Sequence, residues 1–299
     1  MVILITGGTG FVGTYLTDYL LSKGHKVRIL TRNPARYEAL QREDRLYIRI
    51  REDLKPEIER SDVVINLAGE NLFDQRWTTS VKKKIMQSRI GITGSLVKGI
   101  QKAKKKPVLM ISASGADYYG DHGNDEITES SAPGNDFLTE VCLAWEKAAE
   151  PVIAEGVRLA IPRLGVVLEK DGGALEKMLT PFKFFAGGPL GDGRQYLPWV
   201  HMRDVVRVAG FVIDNQHAEG AFNLCAPEPV TMSRFASAVG SALDRPSWIP
   251  VPGFALNLVL GEASKAILAS HRMIPGRLQE WGYEFEFPGI EAALKNILK

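Results

Sequence analysis

The 299-residue sequence is poor in the residues that form disulfides and metal sites. Its two cysteines, Cys142 and Cys225, lie in apolar stretches without a pairing pattern, and its five histidines are scattered along the chain. No two histidines are spaced four residues apart and no Cys-x-x-Cys occurs, so we expect no metal site. The scarcity of cysteine is typical of a reducing compartment and predicts a cytoplasmic location.

Long apolar runs and an excess of one charge are also absent. No stretch approaches the roughly 18 uncharged apolar residues that indicate a membrane helix, and a strand pattern from residue 2 leaves no room for a signal peptide. The 37 basic and 35 acidic side chains give a formal net charge of +2. This balance predicts no nucleic-acid partner and no membrane partner, and a small molecule is the expected ligand.

The most informative feature that is present is a glycine-rich turn. The run Thr6-Gly7-Gly8-Thr9-Gly10-Phe11-Val12-Gly13 follows an apolar strand pattern and opens an amphipathic helix pattern that ends at Gly24. Glycines let the backbone approach a pyrophosphate, and a helix beginning near Gly10 directs its N–H groups toward the phosphates. A second strand at 26–30 completes a βαβ unit, which favours a dinucleotide site over a tight turn without a ligand. The expected contacts are Gly7, Gly10, Phe11, Val12 and Gly13.

The end of the second strand indicates which dinucleotide is bound. An Asp or Glu that bonds the ribose 2′-hydroxyl is expected there, but the sequence has Thr31-Arg32. Arginine pairs with a 2′-phosphate, and Arg36 follows one helical turn later as a second donor. We therefore predict NADP(H) rather than NAD(H), the alternative being that Arg32 is a solvated loop charge.

Short apolar strands alternate with helical patterns along most of the chain. Strands are predicted at 46–50, 63–68, 108–112, 157–161 and 222–225, and helices at 78–103, 139–155, 205–213, 232–243, 254–270 and 289–298. This order predicts an α/β fold, a doubly wound parallel sheet of the Rossmann-like kind with a smaller C-terminal substrate lobe. We assign residues 1–165, with 199–225 returning, to the nucleotide-binding domain, and 166–198 and 226–299 to the smaller lobe.

Several further motifs lie at or near the predicted strand ends. They are Asp53-Leu54, Asn66-Leu67-Ala68-Gly69, Ser112-Ala113-Ser114, Tyr119-Gly120, Pro162-Arg163 and Trp199-Val200-His201-Met202-Arg203-Asp204. In this order they resemble the extended short-chain dehydrogenase/reductase superfamily, in its nucleotide-sugar epimerase and dehydratase group, over residues 1–225. The resemblance implies adenine contacts from Asp53 and Leu54, and passage of Leu67, Ala68 and Gly69 beneath the ribose and nicotinamide. Thr31 and Ser112 join the expected cofactor contacts.

Finer motifs narrow the resemblance to one branch of that superfamily. They are Gly69-Glu70-Asn71, Arg76-Trp77, Ser88-Arg89, Trp145-Glu146 and the tail Arg272-Met273-Ile274-Pro275-Gly276-Arg277. These resemble the epimerase-family proteins labelled short-chain dehydrogenase/reductase family 39U, which carry an appended C-terminal domain of unknown function. The epimerase name of that branch does not establish a reaction.

The superfamily's proton-transfer pair is missing from the expected helix. That chemistry uses a Tyr and a Lys four residues apart, but no such pair occurs in 137–155. Phe137 or Leu138 stands in the tyrosine's place, and Val141 or Cys142 in the lysine's. A Tyr-x-x-x-Lys does occur at Tyr19 and Lys23, but it lies roughly 13 Å along the first helix from the glycine loop, too far to be catalytic.

Other groups are candidates for the chemistry. Ser114 could bind a substrate hydroxyl or carbonyl, Tyr118 or Tyr119 could supply a phenol, and Glu70 could act as a base; a strand-end serine and a loop acid are the structural alternatives. The expected substrate contacts are Trp77, Arg89, Arg163, Trp199 and His201. Arg89 could instead pair with Glu70, and His201 with Asp204 could instead join the lobes.

The sequence thus predicts an NADP(H)-dependent oxidoreductase or epimerase-like enzyme acting on a small polar carbonyl or hydroxyl compound. The alternatives are a non-catalytic NADP(H) sensor or scaffold, and a protein that the nucleotide merely stabilises. A homodimer is possible, because the group often dimerises through its long helices.

Overall fold

The computed structural model describes residues 1–50 and 53–299. Its strands are β1 Val2–Thr6, β2 Lys26–Thr31, β3 Arg45–Arg49, β4 Val63–Asn66, β5 Leu109–Ser112, β6 Ser114–Gly115, β7 Glu126–Ile127, β8 Arg158–Leu164, β9 Val166–Leu168, β10 Tyr196–Leu197, β11 Trp199–His201, β12 Gly220–Leu224, β13 Val230–Thr231 and β14 Arg272–Met273. Its helices are α1 Phe11–Ser22, α2 Lys55–Glu59, α3 Thr79–Lys102, α4 Phe137–Ala149, α5 Gly173–Lys183, α6 Met202–Asp214, α7 Met232–Leu243, α8 Gly253–Leu260, α9 Ser264–Leu268, α10 Gly276–Glu280 and α11 Ile290–Leu298.

The central sheet is parallel, with the strand order β12-β8-β5-β4-β1-β2-β3, and the short β6 pairs with β8. Its central strands β1, β4 and β5 are almost entirely buried, because helices cover both faces, as in other doubly wound sheets. The chain reverses its direction of travel across the sheet between β1 and β4, and ligands bind at such switch points. The predicted fold class is confirmed.

Two apolar layers flank the sheet. On one face, Leu16 and Leu20 of α1 pack with Val205 and Val208 of α6. On the other face, α3 contributes Leu96 to a core that β4 and β8 share. Burying these apolar side chains holds the helices against the sheet and fixes the strand ends where a ligand would lie.

The second lobe has its own core, formed mainly by α5, α7 and α11. The chain then returns to the first core, since Leu278 and Tyr283 are buried with the residues of α1 and α6. The predicted helix 254–270 is interrupted at Gly261, whose φ of +61° ends α8 before α9 begins. Among the residues described, no helix has the length and apolar character needed to cross a membrane.

Candidate functional site

Hydrogen bonds tie together the carboxyl ends of three central strands. Thr6 Oγ1 donates to Asn66 Oδ1 at 2.6 Å, and Asn66 Nδ2 donates to Ser112 Oγ at 3.2 Å and to Thr93 Oγ1 at 2.8 Å. All four side chains are buried, so these bonds satisfy polar groups that would otherwise be costly. They fix the geometry of the carboxyl ends of β1, β4 and β5, next to the glycine turn.

The glycine turn is too close to its neighbours for side chains. A Cβ on Gly7, whose φ is +72°, would lie 2.7 Å from the Leu67 carbonyl, and a Cβ on Gly13 would lie 2.1 Å from the Gly7 oxygen. Gly10 is the N-cap of α1, and within the described chain no side chain bonds that cap. The first N–H groups of α1 are therefore directed to a position where a phosphate could accept from them.

Phe11 begins α1 and packs against a second glycine pair. Cβ atoms on Gly172 and Gly173 would lie 2.8 and 2.6 Å from its ring. The ring also meets Tyr15 edge to face at 6.2 Å. Phe11 thus connects the glycine turn to the start of α5, while Val12 is half-buried beside it.

The two arginines predicted to bind a 2′-phosphate lie beyond the end of β2. The Arg32 side chain is 86% exposed, and Arg36 is exposed on the 3-10 turn Pro34–Leu40. Arg32 Nη1 lies 3.5 Å from Glu70 Oε1. The Glu70 carboxylate therefore faces the end of β2, and its role as a base stays a prediction. Thr31 is buried, and its hydroxyl accepts from the Asn33 N–H at 3.4 Å.

The two residues predicted to contact the adenine differ in exposure in the structure. Asp53 is exposed, and its Oδ1 accepts from the Lys55 N–H at 3.0 Å. Leu54 is only 1% exposed and packs with Ile58 and Leu96 in the core beneath α3. This placement corrects the expectation for Leu54, whose side chain belongs to the core because α3 covers it.

The segment after β4 is partly exposed at Leu67 and Ala68 and exposed at Gly69, as a nucleotide contact requires. Arg89 of α3 lies beneath it, because a Cβ on Gly69 would stand 2.9 Å from Arg89 Cζ. Arg89 Nη2 donates to the Glu70 backbone oxygen at 3.2 Å. The alternative of a side-chain pair between Arg89 and Glu70 is therefore corrected to a bond to the main chain, and the substrate contact of Arg89 stays a prediction.

A buried polar network lies under the site. Ser114 Oγ donates to Glu146 Oε1 at 2.6 Å, while Arg163 Nε and Nη2 donate to the Glu146 carboxylate at 3.0 and 2.9 Å. Arg163 Nη1 also donates to Tyr119 Oη at 2.9 Å, and the Tyr119 hydroxyl donates to Asn223 Oδ1 at 2.7 Å. The network joins β6, α4, β8 and β12.

This network changes the interpretation of three predicted site residues. Arg163, expected to bind substrate, has a side chain only 6% exposed and is neutralised by Glu146. Burial raises the pKa of Tyr119 to about 12, and its side chain is fully buried, so it does not reach a substrate. Tyr118 remains partly exposed, with its ring centroid 3.4 Å from Arg163 Cζ. Ser114 remains next to the site, but its proton is bonded to Glu146.

Sequence reasoning missed the role of Glu146. It lies four residues after Cys142 and five after Val141, on the side of α4 that is otherwise apolar. A charged residue within a buried helical stripe predicts a buried partner, and that signal was available. The identity of the partner was not, because Arg163 comes from a strand that follows α4 and an intervening turn.

The face of α4 where the wider group has its tyrosine and lysine is largely apolar in this chain. Phe137 packs edge to face on Trp77 at 5.2 Å, and Lys82 Nζ lies 4.8 Å from the Phe137 ring centroid. Cys142 is buried, and burial raises the pKa of its thiol to about 12. Trp77 is half-buried beside this face, and its contact with a substrate stays a prediction.

Trp199 and His201 are corrected from substrate contacts to structural residues. Trp199 is 1% exposed in the core of the second lobe, where Nε1 donates to the Glu228 oxygen at 3.3 Å. His201 is 2% exposed, caps α6 by accepting from the Arg203 N–H at 3.0 Å, and stacks on Phe287 at 4.0 Å. Burial lowers the pKa of His201, so the stacked ring is neutral at pH 7.

Asp204 joins α6 to the C-terminal segment. Its Oδ1 accepts from Tyr283 Oη at 2.9 Å and from the Glu286 N–H at 2.8 Å, and its Oδ2 accepts from the Phe287 N–H at 3.0 Å. These bonds agree with the alternative that His201 and Asp204 hold the lobes together.

Comparisons with known proteins agree with this architecture. The family described as NAD dependent epimerase/dehydratase matches residues 3–225, and a domain of unknown function, DUF1731, matches residues 251–297. The chain is 38% identical to the "Epimerase family protein SDR39U1 homolog, chloroplastic" of Arabidopsis thaliana, over 100% of this chain and 87% of that protein. It is 39% identical to the epimerase family protein YfhF of Bacillus subtilis, over 100% and 98%.

Solved structures lead to the same family. Human epimerase family protein SDR39U1, solved with NADPH, has a TM-score of 0.88 and 33% identity, over 100% of this chain and 99% of that one. The UDP-N-acetylglucosamine 4-epimerase of Bacillus cereus shares the fold, with a TM-score of 0.77 at 16% identity, over 99% and 98%. The predicted family, branch and appended domain are confirmed. The chain belongs to the NAD dependent epimerase/dehydratase family.

Proposed function

We propose that this chain binds NADP(H) over the carboxyl ends of β1, β4 and β5. The observation that carries the proposal is the turn formed by Gly7, Gly10 and Gly13, where Cβ atoms on Gly7 and Gly13 would collide with main-chain atoms. A close main-chain approach beside an uncapped helix start is the arrangement that a pyrophosphate requires. The similar human protein, solved with NADPH, supports the same choice of dinucleotide.

Arg32 and Arg36 would hold the 2′-phosphate. The Arg32–Glu70 pair has side chains 86% and 52% exposed, and such surface pairs contribute about 0–1 kcal/mol. Arg32 can therefore leave Glu70 for a phosphate at little cost. A 2′-phosphate offers several oxygens to the guanidinium, which favours NADP(H) over NAD(H).

We further propose an oxidoreductase or epimerase-like reaction on a small polar carbonyl or hydroxyl compound. The nicotinamide of a bound nucleotide supplies hydride transfer. Support comes from the groups around the apolar face of α4, where Tyr118 and Trp77 are partly exposed and the buried Ser114 hydroxyl donates to Glu146 of that helix. The test is to incubate the protein with NADPH and a panel of carbonyl compounds and sugar nucleotides while following NADPH absorbance and substrate exchange. We expect turnover with at least one member of the panel.

A non-catalytic NADP(H) sensor is the second candidate function. It is favoured because the hydroxyls of Ser114 and Tyr119 are bonded within a buried network. In addition, α4 beside them has no tyrosine and lysine four residues apart. Micromolar NADPH binding without turnover of any compound would support the sensor and contradict the enzyme.

A further inference from the structure

Asp117 is an ionisable side chain beside the helix face that lacks the tyrosine and lysine. It lies in the short 3-10 turn Ala116–Tyr118, three residues after Ser114. Its backbone oxygen accepts from Thr139 Oγ1 at 3.1 Å, and Thr139 is in the first turn of α4. This bond holds Asp117 against the turn that begins with Phe137.

The carboxylate of Asp117 lies beside Gly115 and close to the thiol of Cys142. Its Oδ2 lies 3.6 Å from the position that a Cβ on Gly115 would take, and Cys142 Sγ lies 3.7 Å from the same position. Cys142 is one of the two residues in the place of the lysine. Within residues 1–50 and 53–299, no other residue donates a hydrogen bond to this carboxylate.

The surroundings of Asp117 suit proton transfer near neutral pH. Burial and, to a smaller extent, the Asp136 carboxylate raise the pKa of Asp117 to about 6, while the Arg89 guanidinium opposes the rise. Cys142 faces it as a neutral thiol, because burial raises the thiol pKa to about 12. A carboxyl with such a pKa is present in both forms near pH 7 and can give or take a proton.

The neighbouring hydroxyls are less available than this carboxyl. The proton of Ser114 is bonded to Glu146, and that of Tyr119 is bonded to Asn223 inside the core. Asp117 is partly exposed and its proton has no such acceptor among the described residues.

We propose that Asp117, which lies beside the face of α4 that lacks the tyrosine and lysine, is the catalytic acid and base of this site. The inference rests on the proposed function. In reduction, NADPH supplies the hydride that forms the new C–H bond at the carbonyl carbon. The Asp117 carboxyl gives its proton to the carbonyl oxygen, so the C=O π bond is replaced by C–H and O–H bonds. The alcohol and NADP⁺ leave, and solvent returns a proton to Asp117.

The first test measures the position of Asp117 without any substrate. Protein with carboxyl-¹³C aspartate is titrated by NMR in complex with NADP⁺ and with NADPH, and the D117N variant identifies the resonance. The oxidised nicotinamide ring carries a positive charge that the reduced ring lacks. We expect the Asp117 pKa to be at least about 0.5 unit lower in the NADP⁺ complex. Equal pKa values in the two complexes would overturn the assignment.

The second test compares turnover in variants. Asn has the shape of Asp, and the replaced carboxylate has no hydrogen bond from another described residue to lose, so D117N is expected to fold. Its kcat should fall by about 10²- to 10⁴-fold, with the NADPH Kd within about threefold of wild type. The matched control E140Q changes an exposed carboxylate on α4 and should keep the wild-type rate.

Two results would overturn the assignment. One is a D117N rate within about tenfold of wild type, and the other is a large loss in Y118F that D117N does not share. A wild-type protein that binds no nucleotide, or that binds it and turns over nothing, would instead overturn the proposed function and this assignment with it. These outcomes are distinguishable because nucleotide binding and wild-type turnover are measured before any variant.

Discussion

Replacing Glu146 by Gln should destabilise the protein strongly, because it leaves the charge of Arg163 buried without a counter-charge. Two nitrogens of Arg163 donate to the carboxylate at 3.0 and 2.9 Å, and the two side chains are only 6% and 11% exposed. Burial alone would lower the pKa of Arg163, but the hydrogen bonds and charge of Glu146 raise it above its usual value. The carboxylate and the guanidinium therefore stabilise each other in the native state.

The size of the effect follows from the charge that the substitution leaves unpaired. Removing one charge from a buried ion pair costs about 3–5 kcal/mol, because the remaining charge is desolvated and has no counter-charge. The glutamine side chain would retain one carbonyl oxygen, for which Ser114 and Arg163 would then compete. We therefore expect E146Q to lower the free energy of unfolding by about 3–5 kcal/mol.

An exposed pair on the second lobe supplies the matched control. Arg234 Nε and Nη2 donate to the Glu291 carboxylate at 3.1 and 3.3 Å, but these side chains are 52% and 58% exposed. E291Q should therefore cost about 0–1 kcal/mol. Both variants are unfolded in urea near neutral pH with tryptophan fluorescence, and their midpoints are compared at a common slope. A difference below about 1 kcal/mol between them would refute the reasoning.

Three further predictions concern the acid, the phosphate site and the glycine turn. The native state binds the Asp117 proton more tightly than the unfolded chain does, so the free energy of unfolding of the wild type falls as the pH rises from about 4 to about 6. Relative to wild type, D117N should have a free energy of unfolding up to ~3 kcal/mol higher at pH 7.5 and the same near pH 4, measured by urea unfolding. Arg32→Glu should raise the Kd for NADPH by about 10- to 100-fold and leave that for NADH within about threefold, measured by fluorescence titration. Gly13→Ala adds a Cβ that would lie 2.1 Å from the Gly7 oxygen, and it should abolish NADPH binding. In the control Gly91→Ala the new Cβ has nothing within 4 Å, and the substitution should raise the free energy of unfolding by about 0.5–1 kcal/mol. Thermal unfolding with and without NADPH measures both effects.

Local patterns predicted the parts of the site that the backbone forms. The glycine turn, the strand before it and the helix after it are neighbours in sequence, so their periodicity was sufficient to locate the turn between β1 and α1. Arg32 follows β2 directly, Arg36 lies on the 3-10 turn after it, and both are exposed, as a phosphate contact requires. The order of strands and helices likewise predicted the parallel sheet, because crossover connections leave few alternatives.

Side-chain partners from distant segments could not be predicted in the same way. Glu146 on α4 pairs with Arg163 on β8. Trp199 is buried in a core whose other residues come largely from α7 and α11, later in the chain. An aromatic residue beside a cleft and one inside a core look alike in sequence. The bond that Thr139 Oγ1 donates to the Asp117 backbone oxygen likewise joins α4 to a turn about twenty residues earlier, and no local pattern indicates it.

The most direct test of the account is an equilibrium titration of the wild-type protein with NADPH and, separately, with NADH at one ionic strength. The glycine turn and the two arginines predict that both nucleotides bind at one site and that NADPH binds at least about tenfold more tightly. Equal or tighter binding of NADH would contradict the role of Arg32 and Arg36. An absence of binding by either nucleotide would contradict the account as a whole.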